Sequence, residues 1–164
     1  MTSKLGFYGG VGSVTGANFW LDTGGSQIVV DCGLVQGDRF DMEVNAEDFA
    51  FDPKAVNTLL VTHAHADHIG RVPKLVRDGF SGKIYSTEPT RALADVMLRD
   101  AYRVMVYESE RYGSPVLYDE ADIDQALALW NSVEYEEPLS LPDGVTAKFK
   151  DVGHILGSAS ITLS

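Results

Sequence analysis

Short apolar runs punctuated by glycine open the chain. Leu5 to Tyr8 predicts a first strand, Asn18 to Asp22 a second and Gln27 to Asp31 a third. The Thr23-Gly24-Gly25-Ser26 break between the last two predicts a hairpin. Residues 34–53 read as an acidic loop ending at Pro53. Val56 to Thr62 is rich in apolar and β-branched residues and predicts a buried strand. Helical periodicity then takes over. Pro73 to Asp78 predicts a short helix stopped by Gly79, and Lys83 to Ser86 a strand. Thr87 to Arg111 predicts a long helix, with Pro89 near its start and Gly113 and Pro115 past its end. Along it Leu93, Val96, Met97, Ala101, Val104 and Met105 recur at helical spacing. Asp122 to Ser132 predicts another helix, with Ala126, Leu127, Leu129 and Trp130 on its apolar side. Strands return at Glu134-Tyr135, Thr146 to Phe149 and Ser160 to Leu163. Met97, Met105 and Trp130 read as core. This order predicts an α/β layered fold with a mixed sheet and flanking helices. The last predicted strand still needs a neighbour, and its unpaired edge offers a route to oligomerisation.

At 164 residues the chain is sized for one domain. Its 45% hydrophobic and 23% charged residues are ordinary for a globular protein. No apolar run reaches the roughly 18–20 residues of a membrane helix, and Met1 to Gly6 lacks the apolar core of a signal peptide. The single cysteine, Cys32, excludes an internal disulfide framework and reads as a buried small residue. Together these features predict a cytoplasmic protein. The net charge of −11 argues against a large basic surface for nucleic acid, though not against a small local one. Residues 119–137 hold seven acidic side chains and no lysine or arginine, which reads as a solvated helix face and loop.

The histidines change the picture. Three of the four stand in Thr62-His63-Ala64-His65-Ala66-Asp67-His68, directly after the predicted strand. Alternate side chains of an extended segment share a face, so His63 and His65 can meet at one point. Asp67 and His68, a turn further on, can address a second point nearby. The intervening alanines leave room. Imidazole and carboxylate in this mixture suit a pair of borderline divalent metals such as zinc. The plain alternative is a polar surface turn, but three histidines and an aspartate in one hexapeptide exceed what chance delivers. His154 alone would read as a hydrogen-bonded structural residue. Its setting, Gly153-His154-Ile155-Leu156-Gly157-Ser158, permits a tight loop approaching a site, which makes it a candidate ligand.

The sequence resembles the metallo-β-lactamase superfamily, whose signature is His-x-His-x-Asp-His after a buried strand. More narrowly, four segments resemble its β-CASP branch of RNA-processing nucleases: residues 7–16, 29–37, 61–73 and 153–159. The resemblance implies the N-terminal part of an αββα sandwich. It implies that His63, His65 and His154 hold one zinc, that Asp67 and His68 hold the second, and that Asp31 orients the metal loop without being a ligand. Asp31 also fits a plain role, capping the turn at Cys32-Gly33. A metal-bridging hydroxide would attack a phosphodiester phosphorus in RNA, with Asp67 and His68 among the catalytic groups.

The family pattern continues past what residues 1–164 contain. A bridging aspartate, a further histidine ligand and the β-CASP domain have no counterpart here. Site one therefore has three of four expected protein ligands and site two has two of four. The expectation is an incomplete domain that holds at most one zinc well and cleaves RNA weakly or not at all alone. A thioester or lactone hydrolase on the same fold shares the hexapeptide, and a non-catalytic metal-binding or interaction module would explain the missing ligands. Gly10 to Thr15 lacks the third glycine of a dinucleotide fingerprint, and no Gly-Lys-Ser/Thr is present. Arg71 and Lys74 could meet phosphate, though solvation on a helix surface explains them as well.

Overall fold

A computed structural model describes residues 2–37 and 41–164. Nine strands among them form two sheets. The first sheet runs β1 (Lys4–Gly9), β2 (Asn18–Asp22), β3 (Gln27–Val30), β4 (Thr58–Leu60), β5 (Lys83–Ser86) and β6 (Trp130–Ser132) in spatial order. β1, β2 and β3 pair antiparallel; β3 to β6 pair parallel. The second sheet is the antiparallel set β7 (Pro138–Ser140), β8 (Thr146–Asp151) and β9 (Ala159–Leu163). β9 lies at its edge, paired to β8.

Alternation along the strands sorts the core into two layers. Val29 and Leu59 point to one face of the large sheet and join Ile69, Leu75, Leu98 and Ile123 from the helices. Ile28 and Leu60 point to the other face and join Ala147, Phe149 and Ala159 from the small sheet. Helices thus cover one face and the second sheet covers the other. The helices are α1 (Asp41–Ala46), α2 (Ala66–Ile69), α3 (Val72–Arg77), α4 (Glu88–Tyr112) and α5 (Glu120–Ala128). The mixed sheet with flanking helices is the architecture the sequence predicted.

Several local predictions need correction. Residues 34–53 are not all loop: α1 lies within them, and Asn45 clasps the backbone N–H and carbonyl of Val35. Asp38, Arg39 and Phe40 lie outside the described residues. The strand predicted over residues 56–62 is regular only at Thr58–Leu60, because its flanks turn into the histidine loop and the preceding 3₁₀ turn. The helix predicted from Asp122 starts at Glu120, where Asp119 and Asp122 form a capping box, and ends at Ala128. Trp130 instead opens β6, pairing with Ile84 and donating its indole N–H to Ser86 Oγ at 2.8 Å. Glu134 and Tyr135 form no strand; the chain turns there, with Glu136 at φ 63°, and the strand lies at Pro138–Ser140. Met97 is 40% exposed and Val96 and Val104 are exposed. The buried stripe of α4 is narrower, running through Thr90, Ala94, Leu98 and Met105. Lys74 is buried rather than solvated; it pairs with Asp78 at 2.5 Å and lies 4.7 Å over the Phe49 ring.

The parallel register gathers β3, β4, β5 and β6 with their carboxyl ends at one edge, where α/β sheets place ligands. Segments 17 and 32–34 then hold α2 by backbone alone. Cys32 N donates to His68 O at 2.7 Å, Leu34 N to Ala66 O at 3.0 Å and Ala17 N to Asp67 O at 2.9 Å. Gly33 sits so close to this turn that a Cβ would lie 1.6 Å from the Asp67 carbonyl oxygen. Gly33→Ala therefore forces two backbone segments apart. Chemical denaturation is expected to show a loss of about 3 kcal/mol or more, since neither segment is a flexible side chain that can yield.

Candidate metal centre

His63 and His65 follow β4, and His65, the residue before α2, is extended at φ −74° and ψ 148°. Asp67 and His68 lie on that first helical turn. His154 arrives from the other sheet, on the loop between β8 and β9. The structure brings His63, His65 and His154 together, with one ligand atom of each within 4.8 Å of the others. His65 Nδ1 lies 3.1 Å from His63 Nε2 and 3.2 Å from His154 Nε2. The three rings stand nearly perpendicular, at interplanar angles of 79°, 87° and 90°. Zinc–nitrogen bonds of 2.0–2.1 Å in a tetrahedron set nitrogens about 3.3 Å apart, and the two separations from His65 Nδ1 are close to that spacing.

Asp67 and His68 lie beside this cluster. His68 Nε2 lies 3.7 Å from Asp67 Oδ2, and the rings of His63 and His68 are 3.9 Å apart. His68 presents Nε2 because its Nδ1 is occupied by Asp31 Oδ2 at 2.7 Å. Asp31 follows β3 in left-handed backbone, φ 59°, and is 1% exposed. Its Oδ1 accepts the Thr62 N–H at 2.8 Å, and its Oδ2 lies 2.8 Å from Thr62 Oγ1. The Asp31 carboxylate thus reaches the candidate ligand His68 and the backbone at Thr62, whereas the turn at Cys32-Gly33 that it was expected to cap is held by backbone bonds, Cys32 N to His68 O and Gly33 N to Ala17 O.

The His154 loop is held by residues whose parts the sequence left unrecognised. Ser158 Oγ accepts the N–H groups of His154 and Ile155 at 3.0 and 3.2 Å. Gly157 O accepts from Thr87 Oγ1 at 2.7 Å and Thr90 Oγ1 at 2.9 Å, both at the start of α4. Tyr135 donates to Ser158 O at 3.0 Å. Gly157 has φ 83°, and a Cβ there would lie 2.7 Å from Thr90 N, so the loop needs glycine. Thr87 carried a visible signal, a threonine before Glu88-Pro89 at a helix start. Its reach to Gly157, 70 residues away, had none.

Burial, followed by the neighbouring His68, His65 and His154, lowers the His63 pKa from 6.5 to about 4. For His68, burial alone would lower the value, but the hydrogen bond and charge of Asp31, with Asp67, outweigh it and raise the pKa. Cys32 is fully buried and its thiol is pushed up to about 12 by that burial. It is not a ligand to this cluster. A cavity of about 350 Å³ opens beside the centre, lined by Phe19, Asp31, Thr62, His63, His68 and His154 among others. Arg71 and Lys74 do not line it; their charges lie over Phe49, at 4.3 Å and 4.7 Å.

Residues 12–155 match the family model of the metallo-β-lactamase superfamily. The chain belongs to this superfamily. Among its relatives, ribonuclease TTHA0252 of Thermus thermophilus is 38% identical over 154 residues, covering 94% of this chain and 33% of that protein. Transcription termination factor FttA of Methanococcus maripaludis is 30% identical over 159 residues, covering 95% of this chain and 24% of the factor. Cleavage and polyadenylation specificity factor subunit 3-II of Arabidopsis thaliana is 28% identical over 145 residues, covering 84% and 23%. These are RNA-processing members of the β-CASP branch, in agreement with the resemblance of the four segments. The chain spans a quarter to a third of their lengths. The fold itself recurs in a B3 metallo-β-lactamase with an active-site glutamic acid, TM-score 0.55 at 18% identity over 98% of this chain and 53% of that one. It recurs also in the metallo-β-lactamase fold protein YhfI of Bacillus subtilis, TM-score 0.56 at 15% identity over 99% and 57%. No helix among the described residues is long and apolar enough to cross a membrane.

The opposite shifts of His63 and His68 give opposite pH dependences. His63 adds stability above pH 6.5 that is lost as pH falls through about 4. His68 adds stability below its ordinary value that is lost as pH rises through its raised one. In metal-free protein the melting temperature is expected to fall between pH 6.5 and pH 4, and to fall less steeply in His63→Asn. Equal slopes in the two proteins would contradict the assignment.

Proposed function

We propose that this chain is the N-terminal, metal-binding part of a zinc-dependent RNA-processing hydrolase that cleaves phosphodiesters. The observation that carries the reading is the convergence of His63, His65 and His154, with the Asp67–His68 pair adjoining it. RNA as substrate is supported by the names of the relatives, a ribonuclease and a cleavage factor among them. A cytoplasmic location accords with these RNA-processing relatives and the lone buried cysteine.

His63, His65 and His154 would hold one ion and Asp67 and His68 would contribute to a second. Bound divalent ions supply Lewis acidity, making water a stronger nucleophile near neutral pH and offsetting charge that develops on phosphate. The chain's own residues prepare the place. Burial and mutual repulsion keep His63 neutral near pH 7, the state a ligand needs. Asp31 directs His68 so that Nε2 faces Asp67. The anchored His154 loop places the third imidazole without relying on the ion to fold it. Three protein donors in one group and two in the other leave positions open for water, substrate or further donors.

Zinc titration of residues 1–164 should therefore give one well-held ion per chain. Micromolar binding of two would contradict the incomplete-domain reading. The longer protein that carries this chain should cleave single-stranded RNA in the presence of zinc and leave thioesters and lactones intact. His65→Ala should lower that cleavage by at least about a thousandfold while the protein stays folded, because it removes the donor shared by both close nitrogen contacts. Turnover of a thioester or lactone in place of RNA would favour a small-molecule hydrolase. Zinc binding with no hydrolysis of any of these would favour a non-catalytic module.

A further inference from the structure

The Thr62 hydroxyl stands between two groups of the centre. Its Oγ1 lies 2.8 Å from Asp31 Oδ2 and 2.9 Å from His63 Nδ1. His68 Nδ1, at 3.4 Å, is much closer to Asp31 Oδ2, at 2.7 Å, and spends its proton there. We propose that Thr62 is a positioning residue that transmits the direction of the Asp31 carboxylate to His63, keeping the His63 proton on Nδ1 and its Nε2 lone pair open to a divalent cation. The inference rests on the metal-centre reading given above.

Counting protons gives the direction. A threonine hydroxyl has one hydrogen, and a carboxylate has only lone pairs. If the Thr62 hydrogen pointed at His63, Thr62 Oγ1 and Asp31 Oδ2 would face each other at 2.8 Å with lone pairs on both. The hydrogen therefore goes to Asp31, and the contact to His63 can be satisfied only by His63 Nδ1–H donating to Thr62 Oγ1. Nε2 is then unprotonated, and Nε2 is the atom that faces His65 Nδ1. The one hydrogen on His65 Nδ1 can be shared between His63 Nε2 and His154 Nε2 as a three-centre bond in the metal-free state, so the three rings are compatible with this arrangement.

The backbone holds the hydroxyl in place. Thr62 N donates to Asp31 Oδ1 at 2.8 Å, and Thr62 O accepts from Ala159 N at 2.9 Å. The residue is thus fixed from both sheets. One carboxylate in this way sets two histidines, His68 directly and His63 through Thr62, and these belong to the two different donor groups. A second bond partner that fixes a ligand imidazole commonly changes metal affinity by about 10–100-fold.

The test reads tautomers and metal affinity in Thr62→Val, which keeps the shape and removes the hydroxyl, and in Thr62→Ser, which restores it. Long-range proton–nitrogen NMR on metal-free protein at one neutral pH should show His63 protonated on Nδ1 in the parent and in T62S, and shifted toward Nε2 in T62V. Chelator-competition titration with Zn²⁺ should show T62V weakened about 10–100-fold and T62S within about threefold of the parent. A parent His63 protonated on Nε2 overturns the relay even if T62V fails to fold. So does a T62V that keeps the parent tautomer and affinity. A parent that has the expected tautomer but binds no Zn²⁺ supports the relay's direction and overturns the metal reading on which its purpose depends.

Discussion

A single buried carboxylate organises the site edge of this fold. Asp31 is 1% exposed, and a charge so placed is costly unless its lone pairs are filled. They are filled by the Thr62 N–H, the Thr62 hydroxyl and His68 Nδ1. Each partner belongs to the stretch that follows β4, so satisfying Asp31 and shaping the histidine loop are one physical event. The parallel pairing of β3 with β4 makes it feasible. Asp31 N reaches Leu60 O at 2.9 Å, which sets the aspartate beside the residues that leave the neighbouring strand. The left-handed backbone at Asp31 then turns its side chain along the sheet edge, a conformation aspartate tolerates better than most residues.

The second constraint is that the histidine cluster spans both sheets. His63 and His65 belong to the six-stranded sheet, whereas His154 comes with β8 and β9. The join between the layers is therefore built near the site as well as within the core. Ala159 N bonds Thr62 O at 2.9 Å, and Thr87, Thr90 and Tyr135 each bond the 157–158 backbone. Separation of the sheets would disperse the imidazoles, so an ion bound by all three would stabilise the layered arrangement by mass action.

Electrostatics fit this division of labour. The chain carries a net charge of −11, yet its acidic stretch at residues 119–137 is largely engaged in structure. Asp119 and Asp122 cap α5, Asp124 meets Arg99, and Glu136 meets Lys148. The centre itself presents imidazoles and carboxylates. Arg71 and Lys74, the basic residues nearest the motif in sequence, are turned onto Phe49 and do not line the cavity beside the centre. The described residues that line that cavity include no lysine or arginine.

What the sequence determined by itself was the set of candidate donors and the layered α/β plan. Local chemistry suffices for that: three histidines and an aspartate in one hexapeptide, a fourth histidine between glycines, and strands read from alternation and glycine breaks. It also marked α4 closely, because a threonine cap, an early proline and a terminal glycine all act within one turn. It misplaced elements wherever a distant partner outweighed local propensity. Trp130 looked helical beside Ala126 and Leu127, but pairing with β5 and a bond to Ser86 draw it into a strand. Val96 and Met97 matched a helical stripe whose inward direction depends on where the sheet lies. The convergence of His154 with His63 and His65, the anchoring of its loop by Thr87 and Thr90, and the place of Thr62 between Asp31 and His63 were decided only by the tertiary structure. Those contacts are hydrogen bonds between segments of which several are tens of residues apart. Their geometry follows from strand register and sheet packing, and neither is encoded in the local order of residues.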